Sequence, residues 1–214
     1  MKKLWVFGCS VSELYDTETS ITHWASKEYT DWKGYIPKCY SEILAEKMGY
    51  DLENHAVSAT CNDQIFQDFC DCIPYIKEDD FVIIQWTEPN RFRLVNDEEN
   101  WKSFLFNSKW IKHHLKKFSH IQYNTIQETL TNRLSFQYRK QLTSWEKLIK
   151  SKNHNVFIWY PFDKTDYGKL VSSVETIKDD TLGLIDDLHF SEKGQVDIAN
   201  ILFDKINNKS KNII

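Results

Sequence analysis

Short apolar segments of strand-forming residues recur along the chain and alternate with longer segments of helical periodicity. The first, residues 4–8, contains no polar side chain, which is typical of a strand buried on both faces of a sheet. The predicted strands are residues 4–8, Asp51–Val57, Phe81–Trp86 and Asn155–Tyr160. The predicted helices are Tyr35–Met48, a segment bearing Ile65, Phe69 and Ile73, and a segment that Ser191 caps. This alternation predicts a three-layer α/β/α sandwich with a mainly parallel sheet.

A long stretch without strand character separates the third predicted strand from the fourth. Apolar residues recur at helical spacing over Glu98–Phe118 and Thr125–Lys150. We therefore predict that residues 96–150 form a helical insertion, which packs on the rim of the sheet or forms a lid. Irregular polar sequence predicts loops over Asp16–Lys33 and Phe162–Leu184.

The composition bounds the class of protein. The 214 residues are 41% hydrophobic, enough for one sizeable core, so we predict that residues 1–214 form a single domain. The net charge of -4 comes from well-mixed charges, which excludes a basic surface for nucleic acid. Five cysteines, an odd number without zinc-ligand spacing, favour a reducing compartment and no metal. No segment approaches the roughly 20 apolar residues of a membrane span. The apolar stretch after Met1-Lys2-Lys3 is too short for a signal peptide. We expect a cytoplasmic protein without a cofactor or a membrane partner.

Ser10 lies in a turn, Gly8-Cys9-Ser10, that directly follows the first predicted strand. Open α/β sheets place their reactive groups at the carboxyl ends of the strands, so this is a typical position for a nucleophile. Near the other end of the chain, Asp186 stands three residues before His189. Together these residue types can supply a nucleophile, a general base and a carboxylate that orients the base.

The residues alone leave three alternatives open. Ser10 could simply cap the next segment, Val11–Tyr15. Cys9 could be the nucleophile, because a thiolate attacks better than a hydroxyl, although no Lys, Arg or His in its local sequence favours the thiolate. Asp187 competes with Asp186 as the orienting carboxylate, but an Asp three residues before a histidine can curl back to the imidazole.

Gly8-Cys9-Ser10 and Asp186-Asp187-Leu188-His189 together resemble the motifs of the SGNH, or GDSL-like, hydrolases. That family presents its nucleophile in a Gly-Asp-Ser turn after the first strand and its base in a late Asp-x-x-His, so Cys9 stands where the family has Asp. The resemblance implies a flavodoxin-like sheet, the SGNH hydrolase fold, and a catalytic triad of Ser10, Asp186 and His189.

Two middle blocks of the resemblance imply an oxyanion hole. The family's Asn-x-Ala-x-Ser-Gly segment supplies a glycine amide, and Ala59 occupies that glycine position. Where the family has Gly-x-Asn-Asp, this chain has Gln85-Trp86-Thr87-Glu88, so Thr87 replaces the asparagine donor with a shorter hydroxyl. The Ser10 amide is a third candidate donor. Asn62 could either cap the following helix or turn its amide toward the pocket.

The resemblance implies a serine esterase. We predict hydrolysis of a small acyl ester, with acetyl on a carbohydrate favoured because many relatives deacetylate carbohydrates. Aromatic faces expected near the pocket suit sugar rings, and they belong to Trp24, Trp32, Trp86 and Tyr160. The departures at Ala59 and Thr87 leave two other functions open: a weak or inactive carbohydrate-binding module, and an O-acyltransferase with the same triad.

Two further polar residues lie near the predicted strand ends. Arg91 could orient an anionic substrate or form a surface ion pair. His55 precedes the end of the second predicted strand, so we expect it to pack or hydrogen-bond locally and not to act as a base.

Overall fold

Four parallel strands lie at the centre of the structure, a computed structural model that describes residues 1–15, 31, 34–58, 60–87, 91–95, 101–105, 135–152, 155–160, 190 and 192–211. The strands of the described chain are β1 Lys3–Phe7, β2 Asp51–Asn54, β3 Phe81–Gln85, β4 Arg91–Val95, β5 Trp101–Leu105 and β6 Val156–Trp159. Its α-helices are α1 Tyr40–Met48, α2 Asn62–Cys72, α3 Ser135–Lys152 and α4 Glu192–Lys211. A 3₁₀ turn, Ile73–Tyr75, extends α2. The parallel sheet has the order β2-β1-β3-β6, so β1 and β3 are its central strands.

Side chains of the central strands alternate between two hydrophobic layers, because successive residues of a strand point to opposite faces. Leu4 and Val6 pack with α1 and α4, whereas Trp5 and Phe7 pack with α2 and α3. All four side chains are buried. Helices therefore cover both faces of the sheet, and the predicted three-layer α/β/α sandwich is confirmed.

The first helix begins later than its periodicity predicted. The prediction started at Tyr35, but Pro37 precedes the helix and disfavours a helical backbone at Ile36. Cys39 is the N-cap residue, and its backbone N–H donates to the Glu42 carboxylate at 2.8 Å. The predicted stop is confirmed, since Gly49 adopts a left-handed backbone with φ of 67°.

The helical prediction for Glu98–Phe118 is wrong over residues 101–105. These residues form β5, which pairs antiparallel with β4, with Val95 opposite Trp101. The upstream segment Arg91–Val95 alternates charged and apolar residues as far as Leu94, and pairing with it overrides the helical spacing of the later segment. The second predicted helix is confirmed over residues 135–150, while residues 125–134 lie outside the described part of the chain.

The other predicted elements agree with the structure apart from their ends. The second strand was predicted to reach Val57 but ends at Asn54. The predicted loops over 16–33 and 162–184 fall almost wholly outside the described residues. Among the helices that the structure describes, none is both long enough and apolar enough to cross a lipid bilayer.

Candidate active site

The turn that carries Ser10 leaves the carboxyl end of the central strand β1. The carbonyl oxygen of Cys9 accepts hydrogen bonds from the backbone N–H groups of Ser12, at 2.8 Å, and Glu13, at 3.1 Å. Cys9 and Ser12 are buried, whereas Ser10 between them is partly exposed. Among the described residues, none hydrogen-bonds the Ser10 hydroxyl. Ser10 is thus the serine of this turn that a substrate could reach.

The side chain of Gln85, the last residue of β3, holds this turn in place. Its Oε1 accepts from the Cys9 backbone N–H at 3.0 Å and from the Ser12 hydroxyl at 3.1 Å. Its Nε2 donates to the Trp86 carbonyl oxygen at 2.7 Å and to Cys9 Sγ at 3.3 Å. Gln85 is fully buried, so the low dielectric around it strengthens these hydrogen bonds.

Gly8 is required because Gln85 approaches the backbone closely. A Cβ atom at residue 8 would lie 2.7 Å from Gln85 Oε1 and 3.0 Å from Ser12 Cβ. The first distance is shorter than normal packing allows, and the second is at its lower limit. A larger residue would therefore displace the Gln85 side-chain amide, which orders the turn. The glycine of the Gly-Cys-Ser motif therefore has a packing role.

The direction of the hydrogen bonds around Ser12 follows from the chemistry of its partners. Gln85 Oε1 is only an acceptor, so the Ser12 hydroxyl must donate to it. Ser12 then has no second proton, and it accepts from the Tyr40 hydroxyl at 2.6 Å. Burial raises the pKa of Tyr40 far above its usual value, so that this phenol stays protonated and donates. The network joins the turn to the start of α1.

A second loop, between β2 and α2, lies beside the turn that carries Ser10. The Val57 backbone N–H donates to the Gly8 carbonyl oxygen at 3.1 Å, and the Ser58 N–H donates to Glu13 Oε1 at 3.1 Å. Ala59, which follows directly, lies outside the described residues. The hydrogen bonds bring its immediate neighbour in the chain to the turn of Ser10.

Asn62 and Thr87 are joined by a pair of hydrogen bonds. Asn62 Oδ1 accepts from the Thr87 N–H at 2.7 Å, and Asn62 Nδ2 donates to the Thr87 carbonyl oxygen at 3.1 Å. Asn62 is the first residue of α2 and Cys61 is the N-cap. The Asn62 side chain therefore does not cap α2, which was one of its two predicted roles. It fixes the backbone at the end of β3 instead.

The hydroxyl of Thr87 is a buried donor without a partner among the described residues. Thr87 is 2% exposed, and buried hydroxyl groups are normally hydrogen-bonded because desolvation is costly. An unpartnered hydroxyl at the carboxyl edge of the sheet is a group that a bound ligand could satisfy.

Asp186, His189 and the rival Asp187 lie outside the described residues, so their predicted roles stay predictions. The helix that follows them, α4, is attached to the Ser10 side of the sheet by Gln195. Gln195 Oε1 accepts from the Tyr40 backbone N–H at 2.8 Å, and its Nε2 donates to the Tyr15 hydroxyl at 2.6 Å. Because Gln195 is 1% exposed, this attachment is shielded from water.

The cysteines have the character of core residues. Cys9 is 1% exposed and its Sγ accepts from Gln85 Nε2, so a substrate has no access to this thiol. Burial raises the pKa of Cys39 to about 11. Within the described ranges, all five cysteines are free thiols, and no three His, Cys, Asp or Glu side chains form a group that could hold a metal ion.

Three predictions about ring-bearing residues have different outcomes. His55 stacks on Trp5 and Phe7, with ring centroids 5.7 and 5.2 Å away, which confirms local packing. Trp86 was expected to face a sugar, but it is 0% exposed and belongs to the core beside α2 and α3. Tyr160 is partly buried and its hydroxyl bonds to Glu146. The two other predicted aromatic faces, Trp24 and Trp32, lie outside the described residues.

Two residues that organise this site were not singled out from the sequence. Gln85 is the one strongly polar side chain in an otherwise apolar predicted strand, Phe81–Trp86. That position was a usable signal, because a buried polar group must find partners. Gln195 gave no comparable signal, since a glutamine in the first turn of a helix is commonly solvated.

Comparisons with known proteins give no match among models of protein families and none among curated proteins. Solved structures do match. A carbohydrate esterase whose active site is described as having divergent catalytic and non-catalytic binding functions matches with a TM-score of 0.46 and 12% identity, covering 97% of this chain and 65% of that one. An acetyl xylan esterase from the rumen bacterium Butyrivibrio proteoclasticus matches with a TM-score of 0.42 and 10% identity, covering 98% and 64%.

A third match is the psychrotrophic esterase of a Pseudoalteromonas species, with a TM-score of 0.37, 14% identity, and coverage of 99% of this chain and 100% of that one. This chain spans less than two thirds of the length of the first two proteins. The protein described here is an α/β protein whose parallel sheet, in the order β2-β1-β3-β6 between two helical layers, has the flavodoxin-like arrangement that the SGNH resemblance implies.

Proposed function

We propose that this chain is a serine ester hydrolase in which Ser10 is the nucleophile. The observation that carries the proposal is the position of Ser10: it is the partly exposed residue of an otherwise buried, hydrogen-bonded turn at the carboxyl end of the central parallel strand. A nucleophile needs access to substrate and a fixed backbone, and this turn offers both.

In the proposed mechanism, the Ser10 hydroxyl attacks the carbonyl carbon of an ester and transfers its proton to His189. Asp186 orients the imidazole and stabilises its protonated form. The tetrahedral intermediate collapses, and His189 returns the proton to the departing alcohol. Water, activated by the same histidine, then releases the acid from Ser10.

The oxyanion would be stabilised by the backbone N–H groups of Ser10 and Ala59 and by the hydroxyl of Thr87. That buried hydroxyl has no partner within the described part of the chain, which supports this assignment because such a donor is available to the developing charge. We assign Asn62 the role of holding Thr87 in place through its two hydrogen bonds.

The proposed substrate is a small acyl ester, with acetyl on a carbohydrate as the favoured case. A panel of nitrophenyl esters of increasing acyl length, followed by acetylated glycans, tests this proposal. We expect turnover to be greatest for acetyl and to fall with chain length, and a preference for long acyl chains would contradict it.

A fluorophosphonate probe tests the nucleophile directly. We expect one label on the protein, located at Ser10 by mass spectrometry of the labelled peptide. Ser10→Ala and His189→Ala should abolish labelling and turnover, whereas Ser144→Ala, on the exposed side of α3, should change neither. Asp186→Asn should slow turnover by up to about 10⁴-fold because the imidazole loses its orientation, and Asp187→Asn should have a much smaller effect.

The other outcomes distinguish the alternatives. Labelling at Cys9 alone would move the nucleophile by one residue. Neither labelling nor turnover, combined with measurable glycan binding, would favour a binding module. Transfer of the acyl group to an added alcohol or sugar, in excess of hydrolysis, would favour an O-acyltransferase.

A further inference from the structure

Arg91 carries a guanidinium group without a counter-charge in the described part of the chain. It is the first residue of β4 and is partly buried. Its Nη1 donates to the Thr60 carbonyl oxygen at 3.4 Å, while its Nε is buried and has no hydrogen-bond partner among the described residues. The ion pairs found among the described residues involve lysines and do not include Arg91.

Hydrogen bonds place Arg91 beside the candidate oxyanion hole. Arg91 contacts Thr60, and Thr87 is bound to Asn62, two residues further along the same segment. Arg91 and Thr87 therefore lie against one short stretch of chain at the start of α2. A substrate whose carbonyl oxygen is held by Thr87 would have its neighbouring substituents near Arg91.

Withdrawing a guanidinium from water is costly unless an anion and further hydrogen bonds compensate for the lost hydration. One long hydrogen bond to a neutral carbonyl oxygen offsets little of that cost. The planar fork of N–H groups on arginine matches a carboxylate with two parallel hydrogen bonds. The described residues supply no such carboxylate, so the surface ion pair considered for Arg91 from the sequence is not found among them.

We propose that Arg91 binds a carboxylate group of the substrate, so that the preferred ester is an acylated anionic compound such as an acetylated uronate. This inference rests on the proposed function, because it places the carboxylate next to the ester that Ser10 attacks. Arg91 then acts as a specificity residue. It selects an anionic substrate over a neutral one of the same shape.

A matched pair of substrates tests the inference. Acetylated glucuronate and acetylated glucose differ in whether carbon 6 is a carboxylate. We expect kcat/KM to favour the glucuronate ester at least tenfold and this preference to fall as salt is added. Arg91→Met should reduce the preference at least tenfold, and Arg91→Lys should restore part of it because an ammonium keeps the charge but not the fork. Arg139→Met, on the exposed surface of α3, is the matched control and should leave the preference unchanged.

A binding measurement separates failure of this inference from failure of the proposed function. Free glucuronate and glucose are titrated into the Ser10→Ala protein by calorimetry, which does not depend on hydrolysis. Binding of glucuronate that Arg91→Met removes supports the carboxylate site even if no ester is cleaved. Ester hydrolysis with no preference for the anionic substrate, or with a preference that Arg91→Met and Arg91→Lys both leave intact, overturns it. If Arg91→Met does not fold, the comparison of Arg91→Lys with the native protein decides.

Discussion

The side chain of Asn62 pairs with both backbone groups of Thr87, accepting from its N–H at 2.7 Å and donating to its carbonyl oxygen at 3.1 Å. Both residues are buried. These hydrogen bonds join the start of α2 to the end of β3. The Asn62 side chain pairs with the Thr87 backbone as the backbone of a neighbouring strand would. The position of the Thr87 hydroxyl depends on this pair.

Asn62→Ala should lower the free energy of unfolding by about 2–3 kcal/mol, because a buried N–H and a buried carbonyl oxygen lose their partner. Asn62→Asp keeps the acceptor for the Thr87 N–H but sets a second acceptor oxygen against the Thr87 carbonyl oxygen, so we expect it to lower stability and turnover at least as much as Asn62→Ala does. Urea unfolding and kcat for an acetyl ester measure the two effects. Stability within 0.5 kcal/mol of the native protein would contradict the proposed role.

Gly8→Ala should be destabilising by about 1–3 kcal/mol, because its Cβ would lie 2.7 Å from Gln85 Oε1. The added methyl would displace the side chain that bonds the Cys9 amide, and labelling of Ser10 should slow. Gly49→Ala is a useful comparison: its methyl meets no atom within 4 Å, so its cost arises from the positive φ alone. Thermal unfolding measures the stability of both variants, and fluorophosphonate labelling of the folded proteins measures the effect on Ser10. We expect only Gly8→Ala to change the labelling rate.

Gln85→Leu tests the same contact from the other side. It leaves the Cys9 N–H and the Ser12 hydroxyl without an acceptor in the core, so we expect a loss of about 2–4 kcal/mol. In the double variant Gly8→Ala with Gln85→Leu, the Gln85 amide that the added methyl at position 8 would displace is absent. The stability losses of the two single variants should therefore not add. Strictly additive losses in urea unfolding would show that Gly8 and Gln85 do not act through each other.

Gln195→Leu should weaken the attachment of α4, because the Tyr40 N–H loses its acceptor and the Tyr15 hydroxyl loses a donor. We expect a loss of about 1–3 kcal/mol in unfolding free energy and a fall in kcat with little change in KM, since α4 follows His189 in the chain. Lys193→Ala, which removes an exposed pair with Asp197, is the control from the same turn and should cost no more than about 0.5 kcal/mol. A rise in KM without a loss of kcat would argue against a link between α4 and the proposed base, His189.

Asp80 makes stability dependent on pH. Burial tends to raise the pKa of its carboxyl, but the N–H of Lys77, the Trp5 indole and the N–H of Lys3 bind the carboxylate and bring the pKa below its ordinary value. A folded-state pKa below the unfolded one contributes stability that is present above the unfolded value, about 3.9, and is lost as the pH falls through the folded value.

We therefore expect the unfolding free energy to decline in acid below about pH 4. Asp80→Asn should cost about 2 kcal/mol at pH 7 and should decline less steeply in acid than the native protein. Denaturant unfolding at a series of pH values provides the comparison. Parallel curves for the two proteins would show that Asp80 does not account for the acid sensitivity.

The parallel sheet and the place of Ser10 could be predicted because their signals are local. An uninterrupted apolar run such as residues 4–8 indicates a buried strand from only a few residues, and the small residues after it indicate the turn. The hairpin of β4 and β5 was missed for the opposite reason. The pairing of Arg91 with Leu105 joins two separate segments, so neither segment indicates it alone. Helical spacing, in contrast, is visible within one segment.

Side-chain partners within the site could not be predicted in the same way. Thr87 was placed correctly at a strand end, but nothing in its neighbourhood indicates that Asn62 binds its backbone from 25 residues away. Trp86 was predicted to lie at the pocket because the face of an aromatic ring suits a sugar ring. Its neighbours in the core, Ile65 and Phe69 of α2, pack across the sheet face and are distant in sequence.

The hydrogen bonds around the Ser10 turn also set the order in which the candidate site can assemble. Gln85 reaches Cys9 across 76 positions, Gln195 reaches Tyr40 across 155, and Gln195 reaches Tyr15 across 180. Contacts of such high sequence separation require most of the loop-closure entropy to be lost before they form. During synthesis Ser10 is made well before Gln195, yet the hydrogen bonds that Gln195 contributes form only when α4 docks. Reactivity of Ser10 toward a fluorophosphonate would then report completion of the whole fold. A chain arrested before residue 195 would carry Ser10 without the hydrogen bonds that Gln195 makes to Tyr40 and Tyr15.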